Sequence, residues 1–313
     1  MEDKFGRTVK KLRISVTDRC NMRCIYCMPH NNTSWFEQDN LLSYEQIVHI
    51  ATIFAKMGVN KIKITGGEPT VRPKIEELIK SLSSIDGIRS ISMTTNGLLL
   101  KEKVTQLRDA GLQSVNISLD TFDKERFKSM TGIGGNGLNK VMDSINAADA
   151  AGIQVKINAV IIRGWNDDEI VSFARFSRKT GYIVKFIEFM PLDGTGIWDP
   201  NLVFSKKEMI GIINTNVKKL APLNNENSEP ARLYSFIDGK GIIGFIPSMT
   251  EPFCQYCDRM RITSEGKLFT CLFEKKGYDL KNLLYDGKSD EEIVEYILEC
   301  IKQKPEGIIS IIR

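Results

Sequence analysis

The sequence lacks any run of about 18 apolar residues, so it predicts no transmembrane helix. The residues from Met1 to Arg7 contain no apolar signal-peptide core, and we therefore expect a cytoplasmic protein with no membrane partner. A strong charge of one sign is also absent, because the net charge is +4. This modest charge disfavours nucleic acid as a partner but permits a local basic pocket for a phosphorylated small molecule.

Seven cysteines are present. Cytoplasmic thiols are kept reduced, so these cysteines are better explained as metal ligands or nucleophiles than as disulfides. Six of them fall into two groups of three. The seventh, Cys300, shares a helical stripe with Ile293, Ile297 and Ile301, and we predict that it is a packed core thiol.

Between Lys11 and about Met190, short β-branched or apolar runs alternate with amphipathic helical patterns. Strand–helix alternation of this kind predicts an α/β fold with a parallel sheet. Two helix starts are marked by predicted capping boxes, Ser43 with Gln46 and Asn166 with Glu169. The predicted strands cover residues 12–17, 61–65, 90–95, 114–119, 155–161 and 183–189.

Nearly every predicted strand ends in polar residues, and chemistry supplied by many strand ends is typical of (β/α) barrels. We therefore predict an incomplete (β/α)6 TIM-like barrel over residues 1–192. After Met190 the pattern changes to two hairpin signals and a last amphipathic helix over 290–302. Residues 193–313 are accordingly predicted to form a small C-terminal α+β appendage.

The first cysteine group follows the first predicted strand with the spacing C-x3-C-x2-C and consists of Cys20, Cys24 and Cys27. A structural zinc site and an ordinary [4Fe–4S] cluster each take four ligands, but no fourth cysteine lies nearby. Three thiolates on a four-iron cluster leave one iron open. An open iron can bind the amino and carboxylate groups of a methionine moiety and pass an electron to the adjacent sulfonium. A zinc knuckle completed by His30 is the alternative.

This group resembles the signature of the radical S-adenosylmethionine (radical SAM) superfamily, and the segment from Gly66 to Pro69 resembles its glycine-rich motif. The resemblance implies a [4Fe–4S] cluster and S-adenosylmethionine as cofactors, which together yield a 5′-deoxyadenosyl radical. Glycines in the motif would let the backbone approach the methionine amino group. The implied contacts to S-adenosylmethionine are Tyr26, over the adenine, with Gly67, Ser118 and Met190.

The second cysteine group has the spacing C-x2-C-x13-C and consists of Cys254, Cys257 and Cys271. Again a fourth cysteine is lacking, so we interpret the group as a second [4Fe–4S] cluster, in the appendage, with an open iron for the substrate. A zinc site completed by a carboxylate or water is the alternative. Arg259 and Arg261 would share one face of a strand beside this group, and arginine forks suit phosphate.

Both groups and the glycine-rich motif, with residues 12–19, 94–97, 115–120, 186–190 and 253–261, resemble the GTP 3′,8-cyclase family. The resemblance implies conversion of GTP to (8S)-3′,8-cyclo-7,8-dihydroguanosine 5′-triphosphate in molybdenum cofactor biosynthesis. It further implies a homodimer, an external electron donor and a downstream cyclic pyranopterin monophosphate synthase. The implied GTP contacts are Arg13, Lys63, Thr94, Lys156, Arg259 and Arg261.

Two features depart from the family pattern. Lys63 stands where the family has arginine, and lysine keeps the charge but loses the bidentate fork. The chain ends at Arg313 rather than in Gly-Gly. These departures keep open a related radical enzyme with an auxiliary cluster that acts on another substrate, such as a peptide. A zinc-dependent binding module with two metal knuckles is the remaining alternative.

Overall fold

The computed structural model describes residues 1–28, 35–192, 196–224, 226–308 and 311. Its strands form one 12-stranded sheet against which the helices pack. The strands are β1 (Lys11–Ser15), β2 (Lys61–Thr65), β3 (Ser90–Thr95), β4 (Ser114–Ser118), β5 (Gln154–Ile161), β6 (Ile183–Glu188), β7 (Leu220–Pro222), β8 (Arg232–Phe236), β9 (Ile242–Ile246), β10 (Arg259–Ile262), β11 (Lys267–Phe269) and β12 (Tyr278–Asp279). The helices are α1 (Tyr44–Lys56), α2 (Ile75–Ser83), α3 (Leu100–Asp109), α4 (Lys124–Thr131), α5 (Gly137–Ala150), α6 (Ile170–Thr180), α7 (Lys206–Asn216), α8 (Lys281–Tyr285) and α9 (Asp290–Lys302).

The strands β1 to β6 lie side by side in chain order and are all parallel. Each begins and ends within two residues of its predicted bounds. In the described part of the chain, the outermost strands β12 and β7 do not pair with each other, so the sheet stays open. The predicted α/β fold with a partial, barrel-like parallel sheet is therefore confirmed.

Strands of the region after residue 192 join the same sheet as β1 to β6. Strand β10 pairs in parallel with β1, and β9 pairs in parallel with β6, so C-terminal strands extend both edges of the same sheet. Without them, β1 and β6 would be edge strands with unpaired backbone groups. The division into residues 1–192 and 193–313 stays a prediction.

Side chains alternate between the two faces of the parallel strands. On β1, Leu12 and Ile14 are buried in the core, whereas Lys11 and Arg13 lie on the other face. Strands β2 and β3 show the same alternation. Polar and charged side chains of neighbouring strands are thereby gathered on one surface of the sheet.

Two local predictions have different outcomes. The capping box of Ser43 and Gln46 is present at α1. The box predicted at Asn166 and Glu169 is wrong, because the Oδ1 of the fully buried Asn166 accepts from the Ile162 N–H at 2.9 Å and makes no capping bond. Cys300 is 2% exposed, which confirms the predicted core thiol, and burial raises its pKa to about 12.

Within the described ranges, we find no helix whose length and apolar character would allow it to cross a membrane.

Candidate functional site

The loop after β1 carries the first cysteine group, Cys20, Cys24 and Cys27. The glycine-rich loop after β2 fixes the start of that loop. The backbone N–H of Gly67 donates to the Thr17 carbonyl at 2.7 Å, and that of Glu68 donates to the Arg19 carbonyl at 2.8 Å. A Cβ on Gly67 would lie 2.2 Å from the Arg19 carbonyl oxygen, so the close approach of two backbones requires glycine here.

The carboxylate of Glu68 is 1% exposed and connects three loops. Its Oε1 accepts from the N–H and hydroxyl of Thr70 and from the hydroxyl of Thr95. Its Oε2 accepts from the Asn96 N–H at 2.6 Å. The Asn96 amide donates in turn to Cys20 Sγ at 3.8 Å. Glu68 therefore ties the ends of β2 and β3 to the first cysteine group.

The three thiols of the first group influence one another. Burial raises the pKa of Cys24 well above its usual value, and Asp120, Cys27 and Cys20 raise it further. Crowded thiols of this kind ionise when a metal centre compensates their charge. No group of three or more Cys, His, Asp or Glu side chains among the described residues could hold a single metal ion. The candidate zinc ligand His30 lies outside the described residues.

Tyr26, between the second and third of these cysteines, is held by Asp120. Its Oη donates to Asp120 Oδ2 at 2.6 Å, and Asp120 Oδ1 accepts from the Val160 N–H at 2.8 Å. Burial raises the pKa of Asp120 to about 6, although both hydrogen bonds lower it. The pair fixes the orientation of the Tyr26 ring beside the first cysteine group.

A cavity of about 450 Å³ opens on the charged face of the sheet. The second cysteine group and Met190 line it. All six predicted GTP contacts line it too, namely Arg13, Lys63, Thr94, Lys156, Arg259 and Arg261. The cavity walls in the described part of the chain do not include the first cysteine group, Tyr26, Gly67 or Ser118.

Four charged residues of this cavity were missed by the sequence reasoning: Lys11, Lys61, Lys185 and Glu229. The alternation of a strand could have identified the first two, because each lies two residues before a predicted contact, on the same face. On β6, Lys185 alternates with the buried Val184 and Phe186, but that strand carries no predicted GTP contact to mark its face. Glu229 lies in the connection between β7 and β8, where no sequence signal marks it.

Strand register explains why the cations are crowded. Arg13 on β1 is the register partner of Lys63 on β2 and of Arg261 on β10. A second row, two residues earlier, contains Arg259, Lys11 and Lys61. Neighbouring strands are about 4.8 Å apart, so each row sets three positive charges next to one another.

The cations repel one another where they are also partly desolvated. Burial lowers the pKa of Lys63 well below its usual value, and neighbouring cations, Arg13 first, lower it further. Burial likewise lowers the pKa of Lys185 to about 8 and that of Arg261 to about 10. Among the described residues that line the cavity, Glu229 alone carries a carboxylate against eight cations. A polyanion is the kind of ligand that this surface stabilises.

Arg259 carries a donor that the protein leaves unused. The side chain is 7% exposed, its guanidinium lies over the Phe253 ring at 4.6 Å, and its Nη2 has no hydrogen-bond partner. A buried donor without a partner is costly. Because Arg259 lies in the cavity wall, a bound anion could satisfy it.

The second cysteine group lies at the same cavity as the cations. Burial raises the pKa of Cys257, but the Lys304 ammonium and the Arg259 guanidinium outweigh that effect and lower it to about 7. Glu274 fixes the loop of the third ligand, because its carboxylate accepts from the Thr270 and Cys271 N–H groups at 2.7 and 3.0 Å. The donor set of three thiols next to cations fits a metal cluster that also faces a ligand.

Comparisons with known proteins agree with this geometry. Residues 14–177 match the Radical SAM superfamily, and residues 182–309 match Molybdenum Cofactor Synthesis C. A GTP 3′,8-cyclase of Thermodesulfovibrio yellowstonii is 45% identical over 310 residues, which cover 98% of this chain and 95% of that protein. The mitochondrial GTP 3′,8-cyclase of Arabidopsis thaliana is 41% identical over 304 residues, which cover 96% and 77% of the two chains.

Solved structures share the fold at low identity. SuiB of Streptococcus suis, bound to the precursor peptide SuiA, is 16% identical with a TM-score of 0.65, and the match covers 96% of this chain and 72% of that one. Methylornithine synthase is 17% identical with a TM-score of 0.55, and the match covers 93% and 86%. This likeness shows a common α/β fold.

Proposed function

Because the chain belongs to the GTP 3′,8-cyclase family of the radical SAM superfamily, we propose that its cationic cavity holds the triphosphate of GTP. The chain is a radical SAM enzyme of molybdenum cofactor biosynthesis that cyclises GTP between C3′ and C8. One observation carries the proposal for the cavity. Eight positively charged side chains and the second cysteine group line one cavity. Glu229 is the one carboxylate among the described residues that line it.

The triphosphate would lie on the two rows of cations. Arg13, Lys63 and Arg261 form one row, and the unused Nη2 of Arg259 adds a donor in the other. Arginine forks bind phosphate oxygens in pairs, and lysines add point charges. Thr94 and Lys156 are proposed contacts in the same cavity. With the phosphates held by these cations, the guanine would lie towards the second cysteine group.

Cys254, Cys257 and Cys271 would hold a second [4Fe–4S] cluster whose open iron contacts the purine. Support comes from their shared position at the cavity and from the cations that favour a thiolate at Cys257. Such a cluster takes four ligands when it is closed, and three protein thiolates leave a position for substrate.

Cys20, Cys24 and Cys27 would hold the first [4Fe–4S] cluster. When bound, this cluster and S-adenosylmethionine supply the 5′-deoxyadenosyl radical that begins the reaction in this family. The chain itself orients the cofactor: Asp120 holds the Tyr26 ring for the adenine. Gly67, Ser118 and Met190 are the other proposed contacts. Met190 also lines the cavity, so it would lie between the cofactor and GTP.

The test is anaerobic reconstitution followed by incubation with GTP, S-adenosylmethionine and a reductant. We expect about eight irons per chain, four for each cluster, together with 5′-deoxyadenosine and a product isomeric with GTP. Cys271→Ala should lower the iron content to about four, whereas Cys300→Ala, a buried cysteine outside both groups, should keep about eight.

Two other outcomes would redirect the assignment. Cleavage of S-adenosylmethionine with intact GTP and a modified peptide would indicate a peptide-modifying radical enzyme. Bound zinc without acid-labile sulphide would indicate a zinc-dependent binding module.

An external electron donor, a homodimer, a cytoplasmic location and a downstream cyclic pyranopterin monophosphate synthase complete the proposal. The donor is needed because reductive cleavage of S-adenosylmethionine consumes an electron. The synthase is the class of enzyme that would consume the cyclised nucleotide. Size-exclusion chromatography with light scattering tests the dimer.

A further inference from the structure

The segment from Lys304 to Ile308, which follows α9, lies against the second cysteine group. The backbone N–H of Ile308 donates to Cys254 Sγ at 3.4 Å. A Cβ on Gly307 would lie 2.8 Å from Cys254 Cβ and 3.2 Å from Cys254 Sγ, so glycine permits this approach. The segment therefore gives one proposed cluster ligand both a hydrogen bond and a close backbone contact.

Lys304 is the second feature of this segment. Its side chain is 1% exposed, and its Nζ donates to the carbonyl oxygens of Arg259 and Thr270 at 2.6 Å each. Thr270 directly precedes Cys271, and the carbonyl of Arg259 belongs to β10, which follows Cys257. A buried ammonium is costly unless negative charge lies nearby. The thiolates of the second cysteine group would supply that charge when they hold a cluster.

Arg7 fastens the segment to the N-terminal part of the chain. Its Nη1 donates to the Cys254 and Glu306 carbonyls at 2.9 and 2.8 Å, and its Nη2 donates to the Pro305 carbonyl at 2.7 Å. The ion pair of Arg7 Nε with Asp3, at 2.6 Å, fixes the guanidinium. The Arg7 side chain thus holds both the loop that contains Cys254 and the segment from Lys304 to Ile308.

We propose that the Lys304 ammonium and the Ile308 N–H raise the reduction potential of the second cluster, and that Arg7 is the positioning residue that keeps them in place. The inference rests on the proposed function, because it takes the second cysteine group to hold an iron–sulphur cluster. Reduction adds a negative charge to such a cluster. Hydrogen bonds to sulphur and a nearby buried cation stabilise that charge.

The experiment is a redox titration of the reconstituted full-length enzyme, followed by electron paramagnetic resonance. The signal of the second cluster is identified as the one that Cys254→Ala lacks. Lys304→Met should make reduction of the second cluster at least about tenfold less favourable, a negative shift of about 59 mV for one electron. The potential of the first cluster should not change.

Three further variants separate this electrostatic role from simple packing. Lys304→Arg keeps the charge and should keep the wild-type potential. Lys302→Met replaces an exposed lysine at the end of α9 and should leave the potential unchanged. Gly307→Ala should shift the potential in the negative direction, because the added methyl group moves the Ile308 N–H away from Cys254. If Lys304→Met fails to retain the second cluster, the potential of the Gly307→Ala variant tests whether the segment raises the reduction potential.

Unchanged second-cluster potentials in Lys304→Met and Gly307→Ala, with full iron content, would overturn the inference and leave the proposed function intact. A wild-type enzyme with about four irons and no second signal would overturn both, because the cluster itself would be absent.

Discussion

Replacing Lys63 by methionine should stabilise the ligand-free protein while weakening its binding of GTP. Lys63 and Arg13 are register partners on adjacent strands, so we take a separation of about 6 Å between their charges for an order-of-magnitude calculation. Two like charges at that distance repel by about 0.7 kcal/mol in water and by about 3 kcal/mol at an effective dielectric constant of 20. Lys63 is partly exposed to the cavity, so the free energy of unfolding should rise by about 1 kcal/mol, near the lower end of that range.

The effect on GTP should have the opposite sign. A charge-assisted hydrogen bond to phosphate contributes about 1.5–3 kcal/mol, so its loss should raise the Kd for GTP about 10- to 150-fold. Lys63→Arg should bind at least as tightly as the wild type, because guanidinium restores the bidentate fork. Calorimetric titration of the reconstituted enzyme gives the Kd, and denaturant unfolding of the ligand-free protein gives the stability. Lys80→Met, on the exposed side of α2, is the control that should change neither quantity.

A Lys63→Met protein that loses stability and keeps its Kd for GTP would refute this reasoning. Lys63 would then be a packing residue of the cavity wall. The paired measurement is needed because a general loss of folding also weakens binding, whereas a gain in stability with weaker binding has no such explanation.

Three further predictions concern the same two regions. Burial lowers the pKa of Lys185 to about 8, below the value of about 10.4 in the unfolded chain. The fold therefore disfavours the protonated form of Lys185, and the ligand-free protein should gain stability as the pH rises from 8 to 10. Over the same range the affinity for GTP should fall, because Lys185 loses its positive charge. An affinity for GTP that does not change with pH in calorimetric titration would contradict this prediction. Glu229→Gln removes the carboxylate that pairs with Lys11 at 2.7 Å, so GTP should bind roughly 2- to 10-fold more tightly at low salt, with a smaller gain at high salt. An equal Kd of the wild type and Glu229→Gln for GTP at low salt would show that Glu229 does not weaken the attraction between the cations and GTP. Glu68→Gln places an amide donor against the Asn96 N–H, which should cost about 2–3 kcal/mol in denaturant unfolding. Iron analysis should show loss from the first cluster alone, and loss from both would indicate general unfolding.

The parallel strands and the cysteine groups could be predicted from the sequence because their signals are local. Alternating β-branched and polar residues mark each strand, and three cysteines within eight residues must lie close together. The implied GTP contacts also share one cavity, since alternate residues of neighbouring strands lie on the same face of the sheet. Their individual roles, like those of the S-adenosylmethionine contacts, stay predictions.

Interactions between distant parts of the chain could not be predicted in this way. Nothing local in β10 indicates that it pairs with β1, so the sequence does not reveal that C-terminal strands extend the sheet. Lys304 resembles any lysine after a charged helix, and its burial depends on Arg259 and Thr270. Asn166 carries a good capping sequence, but its Oδ1 accepts from the Ile162 N–H instead of from the start of the helix.

The pairing of β10 with β1 has a consequence for synthesis of the protein. Strand β1 leaves the ribosome long before its partner β10 is made, because the two strands lie far apart in the sequence. Until then one edge of β1 has unpaired backbone groups, and the wall of the cavity that contains Arg261 does not exist. Nascent chains should therefore depend on protection of that edge, and a ribosome that stops before residue 259 would release a product that cannot form the nucleotide site.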